Sequence, residues 1–263
     1  MQRREFLALA AAIPTRKPPK VEIAFRSPGP HPNGLQATAD GLWIMDQNEG
    51  SRVHLVRYED GSVIRGFETE ANLASGITFD GEALWLASTY SRELIRADAR
   101  TGRTLRKMFT PGAGIIYRMA GDAPARSSPL AKSAPAQRPQ AAPQPPPSNA
   151  PGTGAHGLEW RDGRLYVAVP PSRTIFRIDP EQWIVEKKFD TAGNRPHGIG
   201  WDGKWLWCAD SNLNAFFKHD PATGAIVEKI QLADTDPLPH GRSIWQGTLW
   251  YCDDVGVVCR LKL

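Results

Sequence analysis

Five sequence repeats predict an all-β fold of the β-propeller type, a ring of four-stranded sheets called blades. Each repeat spans roughly forty residues, the length of one blade in propellers. It begins with a strand that starts at a polar residue followed by glycine. The five starts are Asn33-Gly34, Ser75-Gly76, His156-Gly157, His197-Gly198 and His240-Gly241. Because one blade cannot bury both faces of its sheet, the repeats predict a single domain whose blades pack around an axis.

A tight turn and an aromatic strand follow each start. The turns are Asp40-Gly41, Asp80-Gly81, Asp162-Gly163, Asp202-Gly203 and, more loosely, Gln246-Gly247. The aromatic strands contain Trp43, Trp85, Tyr166, Trp207 and Trp250. We expect the tryptophans to pack between blades rather than to stack on a cofactor.

The last repeat supplies only three strands before Leu263. The segment Val21–Phe25 has strand character and is placed to complete that blade, which would tie the ring shut and remove an exposed edge. This assignment predicts five four-stranded blades within residues 21–263. Six blades are the alternative, because the interval from Gly76 to Gly157 is nearly two repeats long.

Residues 118–154 fill most of that interval with Pro, Ala, Gln and Ser, including Pro145-Pro146-Pro147. Such a composition cannot bury enough apolar surface to order itself. We therefore expect a disordered insertion on one face of the propeller. A solvated spacer is favoured over a lid.

The N-terminus resembles a twin-arginine export signal. Arg3-Arg4 and Phe6-Leu7 precede a small apolar run, and Ala10-Ala11-Ala12 offers a cleavage site. We expect residues 1–20 to be a leader and the mature protein to be periplasmic or extracellular. A frayed basic terminus is the alternative. This apolar run is short, and no other apolar segment approaches the ~18 residues that a membrane span requires.

The net charge of +4 lies entirely in the first twenty residues, which hold five basic side chains and one acidic. The remaining chain is balanced, so the composition gives no support to nucleic-acid binding. We expect a monomer whose partner is a small-molecule ligand or another exported protein.

Three cysteines occur, Cys208, Cys252 and Cys259. A two-residue turn at Val255-Gly256 would place Cys252 opposite Cys259. A cross-strand disulfide and two buried thiols both remain open at this point.

The repeat register predicts a polar ring at one mouth of the channel. Asn33, Ser75, His156, His197 and His240 occupy equivalent positions at the inner strand starts, and the second strands end nearby at Asp46, Ser88, Val169, Asp210 and Asp253. Imidazole and carboxylate are ligands for divalent transition metals. We expect His156, His197 and His240 to bind a divalent metal of unknown identity, with Asn33 or Asp210 completing the site. A histidine acting as general base without metal, or hydrogen bonding inside each blade, is the alternative.

The repeat units carry a family resemblance. Pro196-His197-Gly198-Ile199-Gly200-Trp201-Asp202-Gly203, followed by Leu206-Trp207-Cys208-Ala209-Asp210-Ser211, resembles units of the gluconolactonase (senescence-marker-protein) and virginiamycin B lyase-like propellers. The motif is also similar to NHL-repeat and glutaminyl-cyclase-like propellers. The resemblance covers about residues 31–117 and 155–263. The resemblance to gluconolactonases implies a divalent metal held by carboxylates and an Asn, at the positions of Asn33 and Asp210. The resemblance to virginiamycin B lyases implies functional histidines in the channel, at the positions of His197 and His240.

Two functions follow as hypotheses. The first is a metal-dependent hydrolase or lyase acting on a lactone- or ester-like substrate. The second is a propeller that binds a ligand or scaffolds a partner without chemistry.

Overall fold

Five sheets form a ring in the computed structural model, which describes residues 13–18, 20–48, 50–131 and 152–263. Each sheet has four antiparallel strands, which follow sequence order from the axis outward in four of the sheets, and a fifth strand is added to one of these four. The five-bladed β-propeller predicted from the repeats is confirmed, and the six-bladed alternative is wrong.

The first three blades are continuous in sequence. Blade 1 contains β3 (Pro32–Thr38), β4 (Gly41–Asp46), β5 (Val53–Val56) and β6 (Val63–Phe67). Blade 2 contains β7 (Ile77–Phe79), β8 (Ala83–Ser88), β9 (Glu93–Asp98) and β10 (Thr104–Phe109). Blade 3 contains β11 (Gly157–Arg161), β12 (Arg164–Val169), β13 (Thr174–Asp179) and β14 (Ile184–Asp190), with a short 3-10 turn at Pro170–Ser172.

The last two blades take strands from the N-terminus. Blade 4 contains β15 (Pro196–Trp201), β16 (Leu206–Asp210), β17 (Ala215–His219) and β18 (Ile226–Gln231), with β1 (Thr15–Arg16) at its outer edge. Blade 5 contains β19 (Arg242–Trp245), β20 (Thr248–Asp253), β21 (Val257–Lys262) and β2 (Glu22–Arg26). The closing strand predicted at Val21–Phe25 is thus β2, antiparallel to β21.

The leader prediction concerns residues that are mostly outside this description. Residues 1–12 are among those not described, so a twin-arginine leader stays a prediction. Within the predicted segment, Thr15 and Arg16 pair in parallel with Lys229 and Ile230 of β18. In the described ranges no helix is long and apolar enough to cross a membrane.

The core lies between the blades. Along β8, Leu84 and Leu86 pack toward blade 1, whereas Trp85 and Ala87 pack toward blade 3. This division follows from the alternation of side chains across a strand. Trp43, Trp85, Trp207 and Trp250 all belong to these clusters, as predicted. The Asp-Gly turn has a second role, because Asp80 and Asp202 each accept a hydrogen bond from the tryptophan indole five residues later.

The first-strand glycines form a ring in which each inner strand touches the next. A Cβ atom at Gly34, Gly157 or Gly198 would overlap the backbone of the following blade, at Ser75, His197 and Arg242 respectively. At Gly76 and Gly241 it would meet the backbones of His156 and Asn33. Glycine is required here for close approach, and it brings the residue before it close to the axis.

The two-residue turn predicted at Val255-Gly256, which would have placed Cys252 opposite Cys259, is wrong. The hairpin between β20 and β21 has three loop residues, because Asp253 pairs with Val257. Cys252 therefore lies opposite Val258, and Cys259 lies opposite Tyr251. A shift of one residue moves a side chain to the other face of a sheet. The two thiols pack in different inter-blade clusters and are free.

We predict that Gly157→Ala destabilises the propeller by about 2 kcal/mol or more, because the added methyl group would overlap the His197 carbonyl. Urea unfolding of the purified protein measures this loss. Gly114→Ala is the matched control, since a Cβ there meets no atom of the described residues within 4 Å. Equal losses in both variants would show that the ring is not tightly packed.

Candidate functional site

Three imidazoles lie side by side at one mouth of the channel. The ring centroids of His156 and His197 are 4.7 Å apart, and those of His197 and His240 are also 4.7 Å apart. Both pairs meet edge to face, and all three side chains are buried. The structure therefore brings together the three histidines that the repeat register placed at this mouth.

The three rings differ in their hydrogen bonds. Arg195 Nε donates to His197 Nε2 at 3.1 Å, which occupies that lone pair. His240 Nδ1 donates to the Leu238 carbonyl at 3.3 Å, and this tautomer leaves the Nε2 lone pair of His240 free. Neither ring nitrogen of His156 has a partner within the described residues. His240 is thus the histidine whose tautomer is set for metal binding.

Burial keeps these imidazoles neutral. It lowers the pKa of His156 to about 3, and the nearby charge of Arg195 acts in the same direction. The pKa of His197 lies well below its usual range, first because of burial and then because of the neighbouring histidines. Burial also lowers the pKa of His240, which Asp254 partly opposes. The mouth is therefore lined by hydrogen-bonding rings rather than by imidazolium cations.

Carboxylates at the ends of the second strands anchor the loops that lead into the inner strands. Asp46 accepts from the His31 amide, Asp210 from the Arg195 amide and Asp253 from the Leu238 amide. The remaining oxygen of Asp46 is occupied by Asn48, and that of Asp210 by the Leu213 amide. The hydrogen bonds of these two aspartates therefore hold the loops in place.

Asp253 is different from its counterparts. Its Oδ2 accepts hydrogen bonds from both the Leu238 amide and Ser128 Oγ, whereas its buried Oδ1 has no partner among the described residues. Burial raises the pKa of this carboxyl group to about 7, and neighbouring Asp254 adds to the rise. One buried oxygen of Asp253 is thus free for a ligand.

His240, Asp253 and Asp254 form a cluster that fits a metal ion. One ligand atom from each lies within 4.8 Å of the others, and His240 Nε2 is 3.6 Å from Asp254 Oδ2. One imidazole nitrogen and two carboxylate oxygens suit a divalent transition metal. The free oxygen of Asp253 and the free lone pair of His240 support this fit.

The cluster contains one of the five predicted ligands, His240. Of the others, His197 and Asp210 have their ligand atoms occupied as described above. Asn33 donates to Gln47 Oε1 at 3.0 Å, and its own Oδ1 is buried without a described partner. Sequence analysis placed Asp253 at the mouth but left it out of the ligand set, and it missed Asp254. The Asp253-Asp254 doublet was the available signal, because other blades have Asp46-Gln47, Ser88-Thr89, Val169-Pro170 and Asp210-Ser211.

Part of the predicted insertion lies over this mouth. Gly114 and Thr153 pair at its base, and Asp122 forms an ion pair with Arg173 at 2.6 Å. Ser128 donates to Asp253 at 2.6 Å. Residues 118–131 are therefore held against the blades rather than free in solution. Residues 132–151 lie outside the described residues, so their disorder stays a prediction.

A cavity of about 240 Å³ opens between this segment and the mouth. Its walls include His31, Arg126, Ser128, Arg195, His240 and Asp254. A larger cavity, of about 690 Å³, lies at the outer strands of blades 3 and 4, with Lys188, Phe189 and Gly224 in its wall. The smaller cavity is the candidate site because two residues of the cluster, His240 and Asp254, lie in its wall.

Comparisons with known proteins agree with the fold. No protein-family model matches the sequence, and a search of curated proteins gives no match. The structure is similar to the crystal structure of Myxococcus xanthus glutaminyl cyclase, with a TM-score of 0.61 and 11% identity, over 95% of this chain and 97% of that chain. The likeness is one of fold.

Two lyase structures show weaker similarity. A streptogramin B lyase has a TM-score of 0.50 and 17% identity, over 88% of this chain and 65% of that chain. An inactive virginiamycin B lyase from Staphylococcus aureus, determined with quinupristin, has a TM-score of 0.49 and 19% identity, over 88% and 66%. The chain thus spans about two thirds of the length of these lyases. Its fold is one that enzymes also use.

We predict that His156→Gln reduces the pH dependence of stability in metal-free protein. In the unfolded state the imidazole binds a proton below its usual pKa of 6.5, whereas the folded state does not bind one until about pH 3. Wild-type stability therefore falls as the pH drops through 6.5. When the pH is lowered from roughly 7.5 to 5, the free energy of unfolding should fall by about 2 kcal/mol less in the variant than in the wild type.

Urea unfolding at the two pH values measures the difference. An NMR titration of the His156 ring in the wild type gives an independent check, because the ring should remain neutral down to about pH 4. Identical pH dependence in variant and wild type would contradict a buried neutral imidazole.

Proposed function

We propose that this protein is an exported, metal-dependent hydrolase or lyase that opens a small lactone- or ester-like substrate at the channel mouth. The observation that carries the proposal is the His240, Asp253 and Asp254 cluster, whose free ligand atoms lie beside a small cavity. Export rests on the twin-arginine-type sequence within residues 1–20.

The cluster residues would hold the ion through His240 Nε2, Asp253 Oδ1 and the carboxylate of Asp254. A divalent metal bound there would polarise a carbonyl group or lower the pKa of a bound water. Leu238 fixes the tautomer of His240, and the Leu238 amide and Ser128 orient Asp253. Such support of metal ligands by outer hydrogen bonds is typical of metal sites.

The neutral histidines have a separate task. His156 has two ring nitrogens without described partners, so it can exchange a hydrogen bond with a polar substrate group. His197 presents an Nδ1–H donor that also lacks a described partner. Because these nitrogens are buried and neither ring lines the cavity, they would reach the substrate through a water bound at the mouth. Residues 118–131 cover one side of the cavity and reduce its contact with water.

A ligand-binding propeller without catalysis is the second candidate. One observation favours it: several mouth residues hold the blades together. Gln47 donates to Ser75, Thr89 donates to the Ala155 carbonyl, and Ser211 donates to the Pro239 carbonyl, each in the next blade. In this candidate the cluster would bind a metal or a ligand with no turnover.

We predict that purified mature protein, stripped with chelator, binds Zn²⁺ or Mn²⁺ at one site per chain, and that Asp254→Asn weakens binding at least about a hundredfold. Isothermal titration and elemental analysis measure affinity and stoichiometry. Asp254 is partly exposed, so the variant should fold. Asp234→Asn is the matched control, because Asp234 is an exposed aspartate paired with Arg126.

Activity is then assayed on a panel of small lactones and esters, with metal-loaded and chelated protein. Metal-dependent turnover that Asp254→Asn abolishes is the expected result. Metal binding without turnover across the panel would support the non-catalytic candidate. Equal metal affinity in Asp254→Asn and wild type would show that this cluster is not the metal-binding site.

A further inference from the structure

We propose that the mouth cavity recognises a small molecule that carries a carboxylate group, and that Arg195 binds this carboxylate. The inference rests on the proposed function, because it names the substrate class of the same site. In this class a carboxylate lies at one end of the molecule and a neutral ester or lactone carbonyl at the other.

Arg195 is the cavity arginine without a carboxylate partner in the described part of the chain. Its Nε donates to His197, and its terminal nitrogens form no ion pair with any described residue. Arg126, the other arginine in the cavity wall, is paired with Asp234 at 2.7 Å. The terminal nitrogens of Arg195 are therefore available to a ligand.

The position of Arg195 is fixed from two sides. Its backbone amide donates to Asp210 at 3.0 Å, and its carbonyl accepts from the Ser211 amide at 3.2 Å. Its side chain is held by His197, whose ring is fully buried. A guanidinium held in place loses little conformational freedom on binding, and its two terminal nitrogens match the two oxygens of a carboxylate.

The size and charge of the cavity further restrict the class of ligand that it can bind. A volume of about 240 Å³ is below that of sites for drug-sized molecules, so the ligand is small. Asp254 in the same wall repels additional negative charge, which disfavours phosphate relative to a single carboxylate. A neutral carbonyl group is the part of such a ligand that can approach His240 and Asp254.

The test uses chelated protein, so that its outcome is independent of metal binding. Monomethyl glutarate supplies one carboxylate and one ester, dimethyl glutarate is the neutral match, and inorganic phosphate is the competing anion. We expect monomethyl glutarate to bind at least about tenfold more tightly than either of the others in NMR titrations.

Arg195→Gln should weaken binding of monomethyl glutarate at least about tenfold, whereas Arg195→Lys should recover part of the loss because it keeps the charge without the two-pronged geometry. Arg52→Gln is the control: it removes one guanidinium that is paired with Glu68 on the outside of blade 1. Thermal melts establish that each variant is folded.

A second readout follows the nitrogens of His197. The ¹⁵N shifts of its ring should change on binding in the wild type and in Arg52→Gln, but not in Arg195→Gln. Equal affinity for the monomethyl and dimethyl esters, tighter binding of phosphate, or an equal loss in Arg52→Gln would overturn the inference. These outcomes can be interpreted even if the protein fails to bind metal in the earlier experiment, because the carboxylate test is done without metal.

Discussion

The contact between successive inner strands is the constraint on which this structure depends. Five glycines let each inner strand touch the next; a methyl group would overlap the neighbouring backbone at four of them and would press tightly against it at Gly76. Because the ring is this narrow, the residues that precede the glycines are forced together at one mouth. The edge-to-face contacts among His156, His197 and His240 are a direct result. A wider ring would keep the same residues in register but separate their side chains. Blade number and site chemistry are therefore coupled through backbone packing.

The candidate site arises where the repeat departs from its own pattern. In three blades, the residue after the second strand bonds the next blade through its side chain. In blade 5 the backbone carbonyl of Asp254 takes this role, accepting from His31 Nδ1 at 2.9 Å, so its carboxylate is released. Asp253 likewise keeps one oxygen free, whereas Asp46 and Asp210 do not. The candidate site therefore lies in a blade where the side chain that follows the second strand does not bond the neighbouring blade.

Repeat register accounts for what sequence analysis predicted well. Strand starts, the closing strand and the three neighbouring histidines all follow from counting positions along equivalent units. The missed features depend on where loops run. The occupation of Asp210 requires the path of the loop through Arg195 and Leu213. The bond from Ser128 to Asp253 joins residues 125 positions apart, in a segment whose composition favours disorder. The cysteine register depended on one extra loop residue. Composition and periodicity carry little information on such contacts.

The closure of the last blade also has a kinetic side. Glu22 of β2 lies beside Arg260 of β21, 238 positions later in the chain. Blade 5 therefore cannot be completed until β21 has been synthesised, and a contact of this sequence separation is slow to form. Until then, β2 has no partner strand and the inner edges of blades 1 and 4 lack their shared neighbour. The same pairing that ties the finished ring shut makes its completion a late step of folding, and before that step the unpaired strand edges are exposed to other chains.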